Sequence, residues 1–130
     1  MFGYWTLVDI KDPDNEVVIS SNLIIPFTAA NNKKNFRAIC AEPDIGFPNG
    51  LIVISWVQYV GTWGKEDIMM ALFDGSMNMI NSPHDVSDPS LGTHHNNNQH
   101  ISFSEDQDFV ILVWESAEES FDGGVTWQSQ

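Results

Sequence analysis

Carboxylates are the groups with the most chemistry to offer in this chain. A pair of them, one protonated and one ionised, suffices to cleave a glycosidic bond. Glu42, Asp44, Glu66, Asp67, Glu105, Asp106 and Glu115 are candidates, and their number weakens each one singly. Glu115 stands out because it follows Trp114 at the end of an apolar run. An indole beside a carboxylate suits a sugar, since the ring stacks on the apolar face of a pyranose while the acid binds hydroxyls. Trp56, Trp114 and Trp127 sit where packing in a core accounts for them. Trp63 lies in Gly61-Thr62-Trp63-Gly64, a glycine-flanked loop, and is the aromatic expected to touch a ligand. His94-His95-Asn96-Asn97-Asn98-Gln99-His100 has the look of a metal cluster. Zinc prefers cysteines or well-spaced histidines on rigid elements, so the run reads as a polar surface loop. Calcium is the one ion for which oxygen donors are at hand, on Asp85 and Asp88 or in the turn Glu105-Asp106-Gln107-Asp108. Neither follows an EF-hand pattern, and phosphate-loop, dinucleotide, nucleophile-elbow and zinc-protease motifs do not occur.

The chain has 130 residues, the size of one domain, with 18 Asp and Glu against 5 Lys and Arg. A formal charge of −13 repels nucleic acid and anionic membranes, which need Lys or Arg to neutralise phosphate. The same acidity keeps a protein soluble and leaves neutral glycans and basic partners open. Cys40 is the only cysteine, so no disulfide forms within the chain, and its apolar strand context predicts a buried, inert thiol. No stretch approaches the ~20 apolar residues that cross a bilayer. The first residues lack the basic start and cleavage site of a signal peptide.

The elements that must position these residues read as short strands. Tyr4 to Ile10 and Glu16 to Ser20 flank the turn residues Asp12-Pro13-Asp14-Asn15 and predict a hairpin. Leu23 to Phe27 is a further apolar run, and Ala30 to Asn35 a loop carrying Lys33 and Lys34. Phe36 to Ala41 predicts a strand, and Glu42 to Gly50 a loop. Leu51 to Tyr59 shows little alternation, so both its faces are expected to be buried. Glu66 to Phe73 follows, then a turn at Asp74-Gly75-Ser76 and a return over Met77 to Ile80. The clustered Met69, Met70, Met77 and Met79 predict packing rather than a soft metal site. Ser82 to Asn98 reads as a long connection. His100 to Ser104 alternates as a half-exposed strand, and Phe109 to Glu115 is the counterpart of the Leu51 strand. Helical periodicity is almost absent.

A repeat runs through this order. Ile54-Ser55-Trp56 answers Leu112-Val113-Trp114, with the tryptophans 58 positions apart (114 − 56). Four short strands over such a period make a propeller blade, a little longer than the ~40–50 residues of well-known blades. The chain thus holds about two blades, where a closed ring needs roughly four to eight.

Ser120-Phe121-Asp122-Gly123-Gly124-Val125-Thr126-Trp127 has the pattern Ser-x-Asp-x-Gly-x-Thr-Trp. The Asp carboxylate can accept from backbone N–H groups, the glycines admit the positive φ of a tight turn, and the tryptophan can anchor the next strand. This resembles the Asp-box of the sialidase-like (BNR-repeat) β-propellers, with Ser120, Asp122, Gly124, Thr126 and Trp127 at its defining positions. In that family the box is a structural turn away from the catalytic site. Asn35-Phe36-Arg37-Ala38-Ile39 is similar to the Phe/Tyr-Arg-Ile-Pro segment whose arginine helps clamp the substrate carboxylate, departing from it at Ala38 and Ile39. The likeness is loose over residues 36–130 and full only at 120–127. It implies three arginines for the clamp, and Arg37 is the only one here. It also implies a catalytic Tyr, which would be Tyr4 or Tyr59, and no spacing singles one out. Arg37 therefore reads as a strand-face cation paired with a carboxylate.

The expectation is an all-β protein of about two four-stranded antiparallel propeller blades: part of one at 1–30, one at 31–92, and part of another at 93–130. A β-sandwich is the alternative. The expected role is a non-catalytic binding or structural module, contacting glycan or protein through its loops, with Trp63, Arg37 and Glu115 as ligand contacts. The alternative is a fragment of a sialidase-like glycoside hydrolase whose remaining site lies outside this chain. No cofactor is expected, calcium aside, nor nucleic-acid binding or membrane insertion. The exposed ends of the blades predict a homo-oligomer or a piece of a longer chain, and the resemblance implies an extracellular or surface setting.

Overall fold

The computed structural model describes residues 4–9, 11–12, 14–15, 17–23, 33–59, 66–87, 94–122 and 126–129. These form nine strands and no helix, so the protein is all-β. β1 (Tyr4–Asp9) and β2 (Val17–Leu23) make an antiparallel two-stranded sheet with a bulge between Leu7 and Val8. Asp12 closes their turn: its carboxylate accepts from the Asp14 N–H and the Asn15 side chain, and its carbonyl from the Asn15 N–H. The run Leu23 to Phe27 lies outside the described residues beyond Leu23, which ends β2.

The larger sheet has seven strands: β3 (Lys33–Ala41), β4 (Leu51–Tyr59), β5 (Glu66–Asp74), β6 (Met79–Asp85), β7 (His94–Phe103), β8 (Val110–Asp122) and β9 (Thr126–Ser129). β3, β4, β5 and β6 form an antiparallel meander; β7, β8 and β9 form a second. The two join through one parallel pairing, Glu66 with His95. A blade-like and a sandwich-like arrangement both accommodate this mixed sheet.

β4 is the strand around which the core forms. Ile54 and Trp56 point to one face, where Ala71 and Phe73 of β5 complete a buried cluster with Phe36, Ile52, Met69 and Met77 against it. The Phe36 ring stacks on Trp56 with centroids 6.1 Å apart. The other face carries Val53, Ser55 and Val57, all fully buried. Both faces of this strand are thus covered, as its unbroken apolar run implies. β7 approaches β3, β4 and β5 alike. A strand in the sheet plane has only two neighbours, so β7 must cross over a face. Lys34, in register with Val57, and Glu66, in register with Tyr59, belong to the Val53 face and meet β7 there.

Several expectations are corrected. Lys33 and Lys34 lie on β3 rather than in a loop, because β3 continues through a bulge and pairs with Gln58 and Val57. Residues 82–85 complete β6 and residues 94–98 begin β7, so the long connection shrinks to the residues between Asp85 and His94. Pro83 is tolerated because, among the described residues, β6 pairs only with β5, and an edge strand can lack a donor. Cys40 is exposed: β3 is the outermost strand and alternates, which turns Cys40 outward with Ala38. Met77 and Met79 divide differently, Met77 packing on the core from the turn and Met79 lying 42% exposed on β6. Trp114, expected in a core, is 37% exposed, on β8 opposite the bulge of β7.

Candidate functional site

The repeat is visible in hydrogen-bond register. On β3, Lys34 pairs with Val57 and Arg37 with Ser55, so Asn35 and Phe36 together oppose Trp56. On β7, Asn97 pairs with Glu115 and His100 with Val113, so Asn98 and Gln99 together oppose Trp114. Both are one-residue bulges, and Asn35 (φ 54°) and Asn98 (φ 51°) take the left-handed conformation at the same place in each. Asparagine tolerates that region better than other residues bearing a side chain, so the sequence chooses it twice for one backbone need.

The bulges face each other across the contact between the two strand pairs. The Asn35 side-chain amide donates to Asn97 Oδ1 at 2.9 Å, and Gln99 Nε2 donates to the Asn35 carbonyl. Gln99 is 1% exposed and its Oε1 has no partner; the buried Ser55 hydroxyl is likewise unsatisfied. Next to them the Glu66 carboxylate pairs with Lys34 and lies 3.3 Å from His95 Nδ1. The Glu66 side chain is 9% exposed against 42% for Lys34, so the lysine reaches in from solvent to a nearly buried acid. This polar seam of β3, β5 and β7 was not anticipated. Its signal lay in the two lysines together and in the density of amides from Asn96 to Gln99, which is what a buried seam between strands requires.

The expected ligand residues are not gathered here. Arg37 is exposed on β3 and makes no ion pair with a described residue, so the expected carboxylate partner is absent there. Glu115 is exposed on β8 and accepts a 2.8 Å hydrogen bond from the Asn98 side chain, which fastens the second bulge. Trp63 lies outside the described residues. Of the eight-residue turn, Asp122 pairs with Thr126 and Phe121 with Trp127 as β8 passes into β9, and Ser120 pairs with Gln128. The side chains of Ser120, Asp122, Thr126 and Trp127, and all of Gly124, lie outside the described residues. The run from His94 to His100 is strand rather than surface loop, with Asn96 and Gln99 buried; its amides serve the seam.

The acidic positions considered for calcium are bound to the protein's own donors. Asp85 accepts from the Ser87 hydroxyl at 2.6 Å, and Ser87 Oγ accepts in turn from the Ile68 N–H; Asp88 lies outside the described residues. Asp106 accepts from the Ser104 hydroxyl and the Asp108 N–H, which lower its pKa below the ordinary carboxylate value against a small opposing effect of burial. Asp74 is lowered in the same way by the side chain and N–H of Asn78, with a smaller part from the Ser76 N–H. Among the described residues no three His, Cys, Asp or Glu side chains converge to hold a metal. No helix among them is long and apolar enough to cross a membrane.

The architecture defines a class: an all-β protein of repeated, bulged antiparallel strand pairs joined by an amide-rich seam. Comparison with family models, curated proteins and solved structures finds no match to the chain.

Proposed function

We propose that this chain is a non-catalytic binding or structural module of propeller type, a four-stranded blade flanked by parts of two others, that contacts a glycan or protein through its loops. The observation that carries the reading is the doubled bulge. Two strand pairs break register at the same place and with the same left-handed asparagine. Repetition of that kind is a way to build a stacked scaffold, and function on such scaffolds sits in the loops. The resemblance of residues 120–127 to the Asp-box agrees with it. Arg37, exposed on β3, is the only arginine of the chain, which weighs against a carboxylate clamp of the sialidase kind.

In this reading Trp63 stacks on the ligand, and Arg37 and Glu115 supply polar contacts from the exposed surfaces of β3 and β8. A secreted or surface-exposed setting fits the family resemblance. The test is a glycan array probed with the wild-type chain and with Trp63→Ala. Binding without turnover, weakened about tenfold or more by the substitution, is the expected result. Hydrolysis of a fluorogenic glycoside, abolished by Arg37→Ala or Glu115→Gln, would replace this reading with that of a glycoside hydrolase fragment.

A further inference from the structure

The β3–β4 loop ends in the turn Phe47-Pro48-Asn49-Gly50. The Phe47 carbonyl accepts from the Gly50 N–H at 2.8 Å and from the Asp44 N–H at 3.1 Å, and the Phe47 N–H donates to Asp44 Oδ1 at 2.7 Å. Asn49 is exposed and Gly50 buried. Gly50 takes φ 83°, and a Cβ on it would fall 2.9 Å from the Ala41 carbonyl oxygen, so the position asks for glycine. The only Asn-Gly pair of the chain thus sits in this turn. That pair has a chemistry of its own. Glycine has no Cβ to shield its nitrogen, so the nitrogen can reach the side-chain amide carbon of the asparagine before it. The turn opposes this attack, because the Gly50 N–H would first have to leave the Phe47 carbonyl. The β5–β6 turn adds a clamp. The Gly75 N–H donates to the Gly50 carbonyl at 3.1 Å, and Gly75 lies so near the Asn49 carbonyl that a Cβ would overlap its oxygen.

We infer that Asn49 is a site of spontaneous backbone modification, and that the β5–β6 turn sets its rate by holding the loop shut. The Gly50 nitrogen bonds to Asn49 Cγ, the Cγ–Nδ2 bond breaks, and the Gly50 proton leaves with the side-chain nitrogen as ammonia. A cyclic imide remains. Water opens it at Cγ to give aspartate, or at the Asn49 backbone carbonyl to give isoaspartate, whose chain runs through Cβ and Cγ. Both products carry a carboxylate where the amide was neutral. Isoaspartate also lengthens the backbone by a carbon, at a place where Gly75 leaves no room for a methyl group. Conversion therefore undocks the β3–β4 loop from the β5–β6 turn, and the chain has no way back. The reaction waits on local opening of the clamp, so its rate reports how often the two turns separate. Asp74-Gly75, across the contact, is distinguishable: its carboxylate accepts from Ser76 and Asn78, and an imide formed there releases no ammonia. The site involves neither the ligand nor the repeat of the reading above, so either inference can fail alone.

The test is incubation of the whole chain at mildly alkaline pH, with peptide mapping by mass spectrometry to follow Asn49 and methyltransferase labelling to detect isoaspartate. Wild type is compared folded and in guanidinium, and beside Gly75→Ala and Asp44→Ala. Asp44 is exposed, so its replacement loosens the turn and keeps the fold where Gly75→Ala disturbs it. Asn49 is expected to convert about tenfold or more slowly in the folded chain than in the unfolded one. Each variant is expected to recover several-fold of that rate while far-ultraviolet circular dichroism is unchanged. The isoaspartate form, separated by its added charge, is expected to melt below the unmodified chain. Conversion as fast in the folded wild type as in guanidinium would overturn the inference. So would a rate that both variants leave unchanged, or an isoaspartate form as stable as the parent.

Discussion

The Glu66 carboxylate shows what a single ionised group requires when it is almost out of water. Its partners are Lys34, half in solvent, and His95. Removing the lysine strands the acid; removing the acid lets the lysine turn back to water. The two substitutions should therefore differ. Lys34→Met is expected to destabilise by about 1–3 kcal/mol, the cost of a buried polar group that loses its partner. Glu66→Gln should cost less, and the double variant less than the sum of the two, because the sites share one interaction. Urea unfolding midpoints decide; equal costs would mean that water already screens the pair. Asp74 and Asp106 act differently, as exposed acceptors inside turns. Their folded pKa values are lowered, chiefly by Asn78 and by Ser104 respectively, so on acidification the unfolded chain takes up the proton first. The stability they add is complete above about pH 4 and disappears as pH falls through the folded values. Melting temperature followed downwards from pH 6 should drop more steeply in wild type than in the Asp74→Asn, Asp106→Asn double variant.

Turns also fasten strands to one another at the element scale. The β5–β6 turn lies against the β3–β4 loop, with the Gly75 N–H donating to the Gly50 carbonyl at 3.1 Å. A Cβ on Gly75 would fall 1.6 Å from the Asn49 carbonyl oxygen, so Gly75→Ala must push the two loops apart. The expected loss is about 1–3 kcal/mol, read as a lower melting temperature, whereas Gly46→Ala should be nearly silent because its Cβ would meet only Asp44 Oδ1, at 3.4 Å, an ordinary van der Waals contact. The strands that these turns join were legible where the sequence is apolar. Leu51 to Tyr59 could be assigned, and its two-sided burial foreseen, because nine residues with a single amide have no face for water. The first residues of β7 were not legible, since a run of His, Asn and Gln has the composition of a loop. It becomes a strand because β8 supplies a ladder and the first bulge supplies partners for its amides, both distant in sequence. Lys33 and Lys34 were misplaced for the same reason. Cys40 was misjudged because a strand's propensity does not say whether the strand is at an edge. The paired lysines and the amide run carry a signal of the seam but not its partners: Lys34, Glu66 and His95 meet only once three strands are registered.

Two electrostatic effects of opposite sign compete in the molecule as a whole. A chain with 18 acids and 5 bases repels itself when compact, which destabilises the fold at low ionic strength. The Lys34–Glu66 pair is attractive, and salt weakens it. Partly exposed pairs contribute about 0–1 kcal/mol, whereas the repulsion is summed over an excess of 13 negative charges, many within the ~30 Å Debye length of 10 mM salt. The sum should win. Melting temperature is expected to rise between about 10 mM and about 0.5 M NaCl and then level off as screening saturates. Self-association would raise it too, so the measurement belongs at low protein concentration, where association between copies is removed. A rise that survives there is intramolecular repulsion being screened. A rise that vanishes there is association, and a fall with salt would show that the seam's ion pair outweighs the acidity of the surface.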